Sequence, residues 1–260
     1  MRRLINWRSQ VTMLFCHTTK PSKGEAPVLE TLSTKKRAPK SGSISAQDWI
    51  DASRAVLIKR GISAVKVEPL AKQLGVTPGS FYWHFKNRDA LYRALLKDWL
   101  ATNVRPFFEA LDDAADEPRA QYLALAYVWV LDPQFDAPLD VAIREWGKTS
   151  KLAARTMRFV DHKRISLYQW VFEGFGHDGL SALVRARTMY FHQIGYYAMR
   201  VQEDPERRLL QIPHYAEIIA GDTWLRDLKS AEDIKSALVN YPRRETLADR
   251  IARGRVSGRR

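Results

Sequence analysis

Between residues 44 and 100 the apolar positions recur at helical spacing and are punctuated by residues that start and stop helices. Trp49 and Val56, then Ile50 and Leu57, repeat at i and i+7 with Ala52 between them, which predicts a first helix with one apolar face. Ser45 followed by Asp48 resembles a capping box with Asp in place of Glu, and Gly61 supplies the stop. A second helix is predicted from Val67 to Leu74, with Pro69 in the first turn, where no intrahelical N–H bond is yet required. Lys66 stands at its N-cap without a side-chain oxygen to offer, but its ammonium can reach a phosphate. Gly75 then suits a left-handed turn, Thr77 a cap and Pro78 the first position of a third helix, with Gly79 and Ser80 small enough for close approach to a groove. Phe81 and Phe85 lie four apart and share a face, so both are predicted to anchor this helix to the first two. Tyr82, Trp83 and His84 therefore point elsewhere, offering three hydrogen-bond donors to phosphate oxygens, and Lys86 adds a charge. A fourth helix is expected from about Asp89, with Leu91, Ala94, Leu95 and Leu100 inward, linking this head to a body.

The rest of the chain also reads as helices. Asp112-Asp113 and Asp116-Glu117-Pro118 mark a loop, Pro118 opens the very apolar stretch 119–131, and Asp132-Pro133 closes it. Helical spacing follows from Leu139 to Trp146 and from Lys151 to Phe172, the latter with Met157, Val160, Tyr168 and Phe172 on one stripe and Gly174 and Gly176 as its stop. Leu180 to Val201 gives another helix carrying Leu183, Ala186, Tyr190 and Ile194, and Pro213 restarts a shorter one through Ile219. No alternating pattern of useful length appears, so the fold class is predicted as all-α.

Charge changes the picture because it is unevenly placed. Residues 1–43 hold nine Lys and Arg against two Asp and Glu, 44–100 nine against five, 101–242 seventeen against twenty, and 243–260 seven against two. A basic head and basic ends on a mildly acidic body suit a polyanion partner, while solvated tails with no partner remain the plain alternative. Residues 1–43 mix five Pro and Gly with Ser, Thr and Lys and are expected to be disordered. A solvated leader and an arm adding phosphate or minor-groove contacts through Lys35, Lys36, Arg37 and Lys40 both fit that stretch. Its Arg-rich, acid-poor start also fits an organelle transit peptide or a start codon placed too early, with Met13 nearer the true beginning.

Cys16 is the single cysteine, so no internal disulfide forms and a cytoplasmic location is expected. The longest apolar run, Tyr122 to Leu131, is about half the ~20 residues a membrane span requires, and no secretion signal is read at Val11–Phe15. Phosphate-loop, dinucleotide, zinc-protease and nucleophile-elbow motifs are missing, so no enzyme, metal site or cofactor is expected. Asp161 and His162 are adjacent on a helix and diverge by about 100°, so they form no site together. Asp161 is expected to pair with Arg158 or Arg164 in a structural role. Arg144 and Glu145, beside Trp146, leave both a charge in a cavity and surface pairing open.

From Ile44 to about Leu100 the chain resembles the N-terminal domain of TetR-family transcriptional regulators, whose pattern runs Gly-Val-Ser/Thr, any residue, Gly, small, apolar, Tyr, any residue, His-Phe. Gly75, Val76, Thr77, Gly79, Ser80, Phe81, Tyr82, His84 and Phe85 match it. One departure is Arg88-Asp89, where the family usually has Lys-Glu or Lys-Asp; the charge is kept. The resemblance implies a three-helix head with a helix-turn-helix in which Thr77, Tyr82, His84 and Lys86 hold phosphates while Pro78, Gly79, Ser80 and Trp83 face base edges. It further implies a body that binds an unidentified small-molecule effector and dimerises through its last two long helices. Phe107, Trp129, Trp146, Phe159, Trp170 and Phe172 are the candidate pocket aromatics, each also readable as plain core. Ala186, Tyr190, Ile194, Tyr197, Ile218 and Ile219 are the candidate dimer-interface residues. The expected division is a basic arm at 1–43, a DNA-binding head at 44–94, an effector-binding and dimerisation body at 95–222 and a basic, partly disordered tail at 223–260. The expected function is a homodimeric repressor of a double-stranded DNA operator. A ligand-independent, DNA-compacting accessory protein is the alternative, and a small enzyme comes third.

Overall fold

The structure, a computed structural model, describes residues 44–245. The expected arm 1–43 and the last fifteen residues of the expected tail lie outside the described residues. Backbone contacts divide the chain after Asp98 into two units. All regular structure among the described residues is helical, apart from an isolated bridge between Ala114 and Arg243.

The first unit begins with α1 (Ala46–Arg60), which carries the predicted capping box: the Ser45 hydroxyl accepts the Asp48 N–H at 3.2 Å while the Asp48 carboxylate accepts the Ser45 N–H at 2.6 Å. The Ser45 hydroxyl also donates to the Asp48 carboxylate at 2.6 Å, and this bond, with the one from the Ser45 N–H, holds the exposed Asp48 carboxyl below its usual range. Trp49, Ala52, Val56 and Leu57 form its buried face, as their spacing predicts, and Gly61 ends it at φ 78°. A 3₁₀ turn (Ile62–Ala64) leads to α2 (Val67–Gln73), which buries Leu70 and Ala71. Gly75 follows at φ 68°, a conformation costly for any residue with a Cβ. After a 3₁₀ turn (Pro78–Trp83), α3 (Arg88–Trp99) starts where the Asn87 side-chain oxygen accepts the Ala90 N–H at 2.9 Å, a cap not foreseen from the sequence. Leu91, Leu95 and Leu96 are buried on it, and the Tyr92 hydroxyl donates to the Val65 carbonyl at 3.3 Å.

The second unit starts at Trp99, whose indole N–H donates to Asp140 at 3.0 Å within the body. A π-helical stretch (Leu100–Val104) precedes α4 (Arg105–Asp113); α5 (Pro118–Val130), α6 (Ala137–Gly147), α7 (Lys151–Gly174) and α8 (Gly179–Ala198) follow. The apolar spacing predicts α5 to α8; it did not mark out α4, whose last turn holds Asp112 and Asp113, read from the sequence as loop. The helix expected from Pro213 starts one residue earlier, as α10 (Ile212–Tyr215), after an unforeseen short α9 (Pro205–Leu210) capped by Asp204, and passes into a π-helical turn (Ala216–Ala220). The stretch expected to be tail contains α11 (Ala231–Val239), capped by Ser230 and burying Ile234 and Leu238. Beyond it, Tyr241 donates to Asp113 at 3.2 Å and the Arg244 N–H donates to the Asp113 carbonyl at 2.7 Å, so the described end of the chain is tied to the loop after α4.

The body is built around buried charge. Arg164 on α7 is fully buried, donating to Asp140 at 3.2 Å and to the Asn103 carbonyl at 2.5 Å, with its guanidinium stacked 4.8 Å from the Phe107 ring and 5.2 Å from Trp129. Arg144 on α6 donates to Asp140 at 3.1 Å and to Asp161 at 2.9 Å, and Tyr190 from α8 donates to Asp161 at 2.5 Å. The expected pairing of Asp161 with Arg158 or Arg164 is therefore wrong: Arg164 lies on the buried stripe of α7 and meets Asp140, and Asp161 takes its donors from α6 and α8. Glu145 instead forms a surface pair with Lys148 at 2.7 Å. Burial alone would raise the Asp140 carboxyl; Arg164 and Arg144, with hydrogen bonds from Trp99 and Arg164, outweigh it and hold the group below the usual carboxylate range. Burial pushes Tyr190 up to about 12, so it stays a neutral donor near neutral pH. Two arginines and two aspartates compensate one another in this quartet, which is what the desolvation of each requires.

Candidate nucleic-acid interface

The six residues Pro78–Trp83 form a 3₁₀ turn rather than the α-helical start that the sequence predicts. The Ser80 N–H donates to the Thr77 carbonyl and the His84 N–H to the Phe81 carbonyl, both at 3.0 Å and three residues apart, while Phe85 closes a four-residue step onto Phe81 at 3.0 Å. Pro78 takes the first position, where its missing N–H costs nothing. Thr77 occupies the N-cap with extended backbone, but its hydroxyl makes no capping bond; the backbone carbonyl does that work and leaves the exposed hydroxyl open to an outside acceptor.

The two phenylalanines are the anchor. Phe81 is fully buried, with its ring 5.3 Å from Trp49 and 5.4 Å from Phe85, which is itself buried. Around them Tyr82, Trp83, His84 and Lys86 are exposed, and Trp83 at 74% is exposed more than Tyr82 at 63%. Tyr82 packs its ring edge 5.3 Å from Phe81 and so presents its hydroxyl from a fixed base. Gly79 and Lys66 are exposed as well, and Ser80 is half-buried. A Cβ on Gly79 would meet nothing nearer than the Thr77 hydroxyl oxygen at 3.7 Å, so the close approach available there faces outward. Thus the nine residues read from the sequence as DNA-facing all belong to one small unit, and eight of them are exposed.

Residues 50–95 match the model of the family described as bacterial regulatory proteins, tetR family. This stretch is similar to the DNA-binding heads of that family. The HTH-type transcriptional regulator TtgR of Pseudomonas putida is 40% identical to the chain over 47 residues, which are 18% of this chain and 22% of that protein. An uncharacterized HTH-type transcriptional regulator of Bacillus subtilis, YerO, is 26% identical over 74 residues, covering 28% of this chain and 26% of that one. The matched part thus spans about a quarter or less of these curated relatives. A transcriptional regulator from Rhodococcus sp. Rha1 superposes with a TM-score of 0.51 over 75% of this chain and 97% of that one, at 18% identity, a likeness of fold. The all-helical fold thus has a solved counterpart.

The candidate residues of the body disperse. Phe107 and Trp129 lie in ring contact at 4.8 Å, and Trp129 donates to Tyr168, whose ring stacks on Phe172 at 6.5 Å. Phe159 is half-buried with the Lys163 ammonium 5.7 Å from its ring centre, Trp170 is half-buried, and Trp146 is buried. Among the residues read as dimer interface, Ala186, Tyr190 and Ile219 are buried within their own chain, Ile194 and Tyr197 are half-buried, and Ile218 is 73% exposed. The correction has a simple cause. The most continuous apolar stripe of α8 is the one its own body covers, whereas Leu180, Val184 and Phe191, exposed on α8, form a second stripe about 100° away. That face was missed because Arg187 and Thr188 interrupt it; its four- and seven-residue spacing was the available signal.

Proposed function

We propose that this protein is a homodimeric transcriptional repressor that acts in the cytoplasm on a pseudo-palindromic DNA operator and is released by a small-molecule effector bound in its body. The observation that carries the reading is the TetR-family head with Tyr82, Trp83, His84 and Lys86 exposed around a buried Phe81–Phe85 anchor. Lys66, Thr77, Tyr82, His84 and Lys86 are assigned to phosphates, and Pro78, Gly79, Ser80 and Trp83 to base edges. The exposed face of Leu180, Val184 and Phe191, with Ile218, is assigned to the partner copy, replacing the residues that the body buries. A two-fold dimer reads half-sites about 34–36 Å apart. An allosteric coupling of about 1–3 kcal/mol releases such an operator several-fold to a hundredfold.

A salt titration on a selected operator and on random duplexes tests the function. The operator is expected to bind at least a thousandfold more tightly at physiological salt. Equal affinities with the same salt slope would instead make the protein a non-selective DNA-binding accessory. For the dimer, Phe191→Glu is expected to shift the sedimentation coefficient to that of a monomer; an unchanged dimer would place the interface elsewhere.

A further inference from the structure

The turn Pro78–Trp83 has a period of three residues, and in a 3₁₀ turn residues three apart stand one above the other. Phe81 is turned into the head. Two outward edges remain: Gly79 with Tyr82, and Ser80 with Trp83. They differ in chemistry. Tyr82 is braced against Phe81 and offers a hydroxyl beside a glycine, which suits a phosphate approached closely. Trp83 is the most exposed large apolar side chain of the described residues, it has neither ring contact nor hydrogen bond there, and Ser80 beneath it offers a small hydroxyl. An indole left in water in this way has gained nothing from folding the head, so its gain lies in a complex. The surroundings say which kind: Lys66, Lys72, Lys86 and Arg88 are exposed in the same unit, a setting suited to a polyanion.

In the major groove the one apolar group on a base edge is the 5-methyl of thymine. We propose that Trp83 is the residue that sets sequence preference in this head, by packing its indole on a thymine 5-methyl in each half-site, with the Ser80 hydroxyl bonding the neighbouring base edge. The inference rests on the DNA-binding reading above and adds to it the base, the group on that base and the side chain that reads it. Phosphate bonding by the indole N–H is the competing use of the same side chain, and it predicts no preference among bases.

The experiment starts by selecting an operator for the full chain from a randomised duplex library, then replaces each thymine of one half-site by deoxyuridine, which removes only the methyl. At one position the wild type is expected to lose about threefold to fivefold in affinity, the equivalent of one buried methyl. Trp83→Ala is expected to abolish that difference between thymine and uracil, whereas Trp83→Phe, which lacks the N–H but keeps an apolar ring, retains it. Both substitutions are at an exposed position, and an unchanged circular-dichroism melt confirms that each variant is folded. The same thymine-to-uracil loss in wild type and Trp83→Ala would overturn the assignment, as would a uniform loss on all duplexes with Trp83→Ala. In either case a selected operator would still stand, so the DNA-binding function would survive. Failure to enrich any duplex would overturn both.

Discussion

The head and the body solve the problem of specifying a structure in opposite ways. In the head, each element is fixed by residues within a few positions of it: a capping box at Ser45, a left-handed glycine at Gly75, a proline at the first position of the reading turn, an Asn87 cap. Its core is apolar, with Trp49, Phe81 and Phe85 in ring contact, apart from Ser53, whose buried hydroxyl donates to the Trp49 carbonyl at 2.6 Å. In the body, the elements are held by charges brought together from across the sequence: Asn103, Asp140, Arg144, Asp161, Arg164 and Tyr190 meet across α6, α7, α8 and the start of the unit. The difference shows that local signals suffice where a unit must present side chains outward, whereas a long bundle whose helices share one apolar spacing needs buried polar pairs to set its register.

That contrast can be broken first at Asp140. Removing it as Asp140→Ala leaves Arg164 buried and unpaired, and is expected to destabilise the body by about 3–5 kcal/mol in chemical denaturation. Replacing the pair together, as Asp140→Leu with Arg164→Met, is expected to recover most of that loss; a double variant as unstable as the single one would mean that the pair adds more than mutual compensation. Acid provides the same test without a mutation. The Asp140 carboxyl is held below its unfolded value of about 3.9. Its contribution is therefore complete above that value and is lost as pH falls through the lower folded-state value. Wild-type denaturation midpoints are expected to hold from neutral pH to about pH 5 and to fall below about pH 4, with a shallower fall in Asp140→Asn over the same window. A parallel fall in both would assign the acid sensitivity to other carboxylates.

Smaller effects belong to the head. Gly75→Ala forces a Cβ into a left-handed conformation where nothing else stands within 4 Å, and is expected to cost about 1–2 kcal/mol from backbone strain alone. Asn87→Ala removes the cap of α3 and is expected to cost about 1 kcal/mol, read from the thermal melt. Lys86→Ala is expected to leave stability unchanged and to weaken binding to all duplexes alike, lowering the salt slope by about one. A changed base preference with Lys86→Ala would move that residue from the phosphates to the base edges.

What the sequence made legible follows the same division. The apolar faces of the head's helices, the Ser45 capping box, the Gly61 stop and the buried status of Phe81 and Phe85 are set by neighbours at three, four and seven positions, so one chain suffices to read them; the Thr77 cap was read wrongly and the Asn87 cap was missed. The 3₁₀ character of Pro78–Trp83 was not legible, because the same capping residues and proline open either kind of helix. In the body, the long helices α5 to α8 were readable from apolar spacing, but the short α4, α9 and α11 and the partners of Asp161 and Arg164 were not. Local spacing offered Arg158 and Arg164 to Asp161, but the desolvated Arg164 is held by the buried Asp140, and the half-buried Asp161 takes its donors from Arg144 and Tyr190 on other helices. Ala186, Tyr190 and Ile219, read as interface, are buried within their own chain for a related reason. Apolar continuity reports what is buried, and its strongest stripe, through Ala186 and Tyr190, is already used by the chain's own core.

The burial of the quartet has a practical corollary for handling the protein. Mobile ions screen exposed charges and displace a basic surface from nucleic acid, yet they reach poorly into a site where Arg164 and Asp140 are 0% and 3% exposed in their side chains. Concentrated salt is therefore expected to leave the body's melting temperature close to its low-salt value while weakening any hold of the exposed basic head on a polyanion.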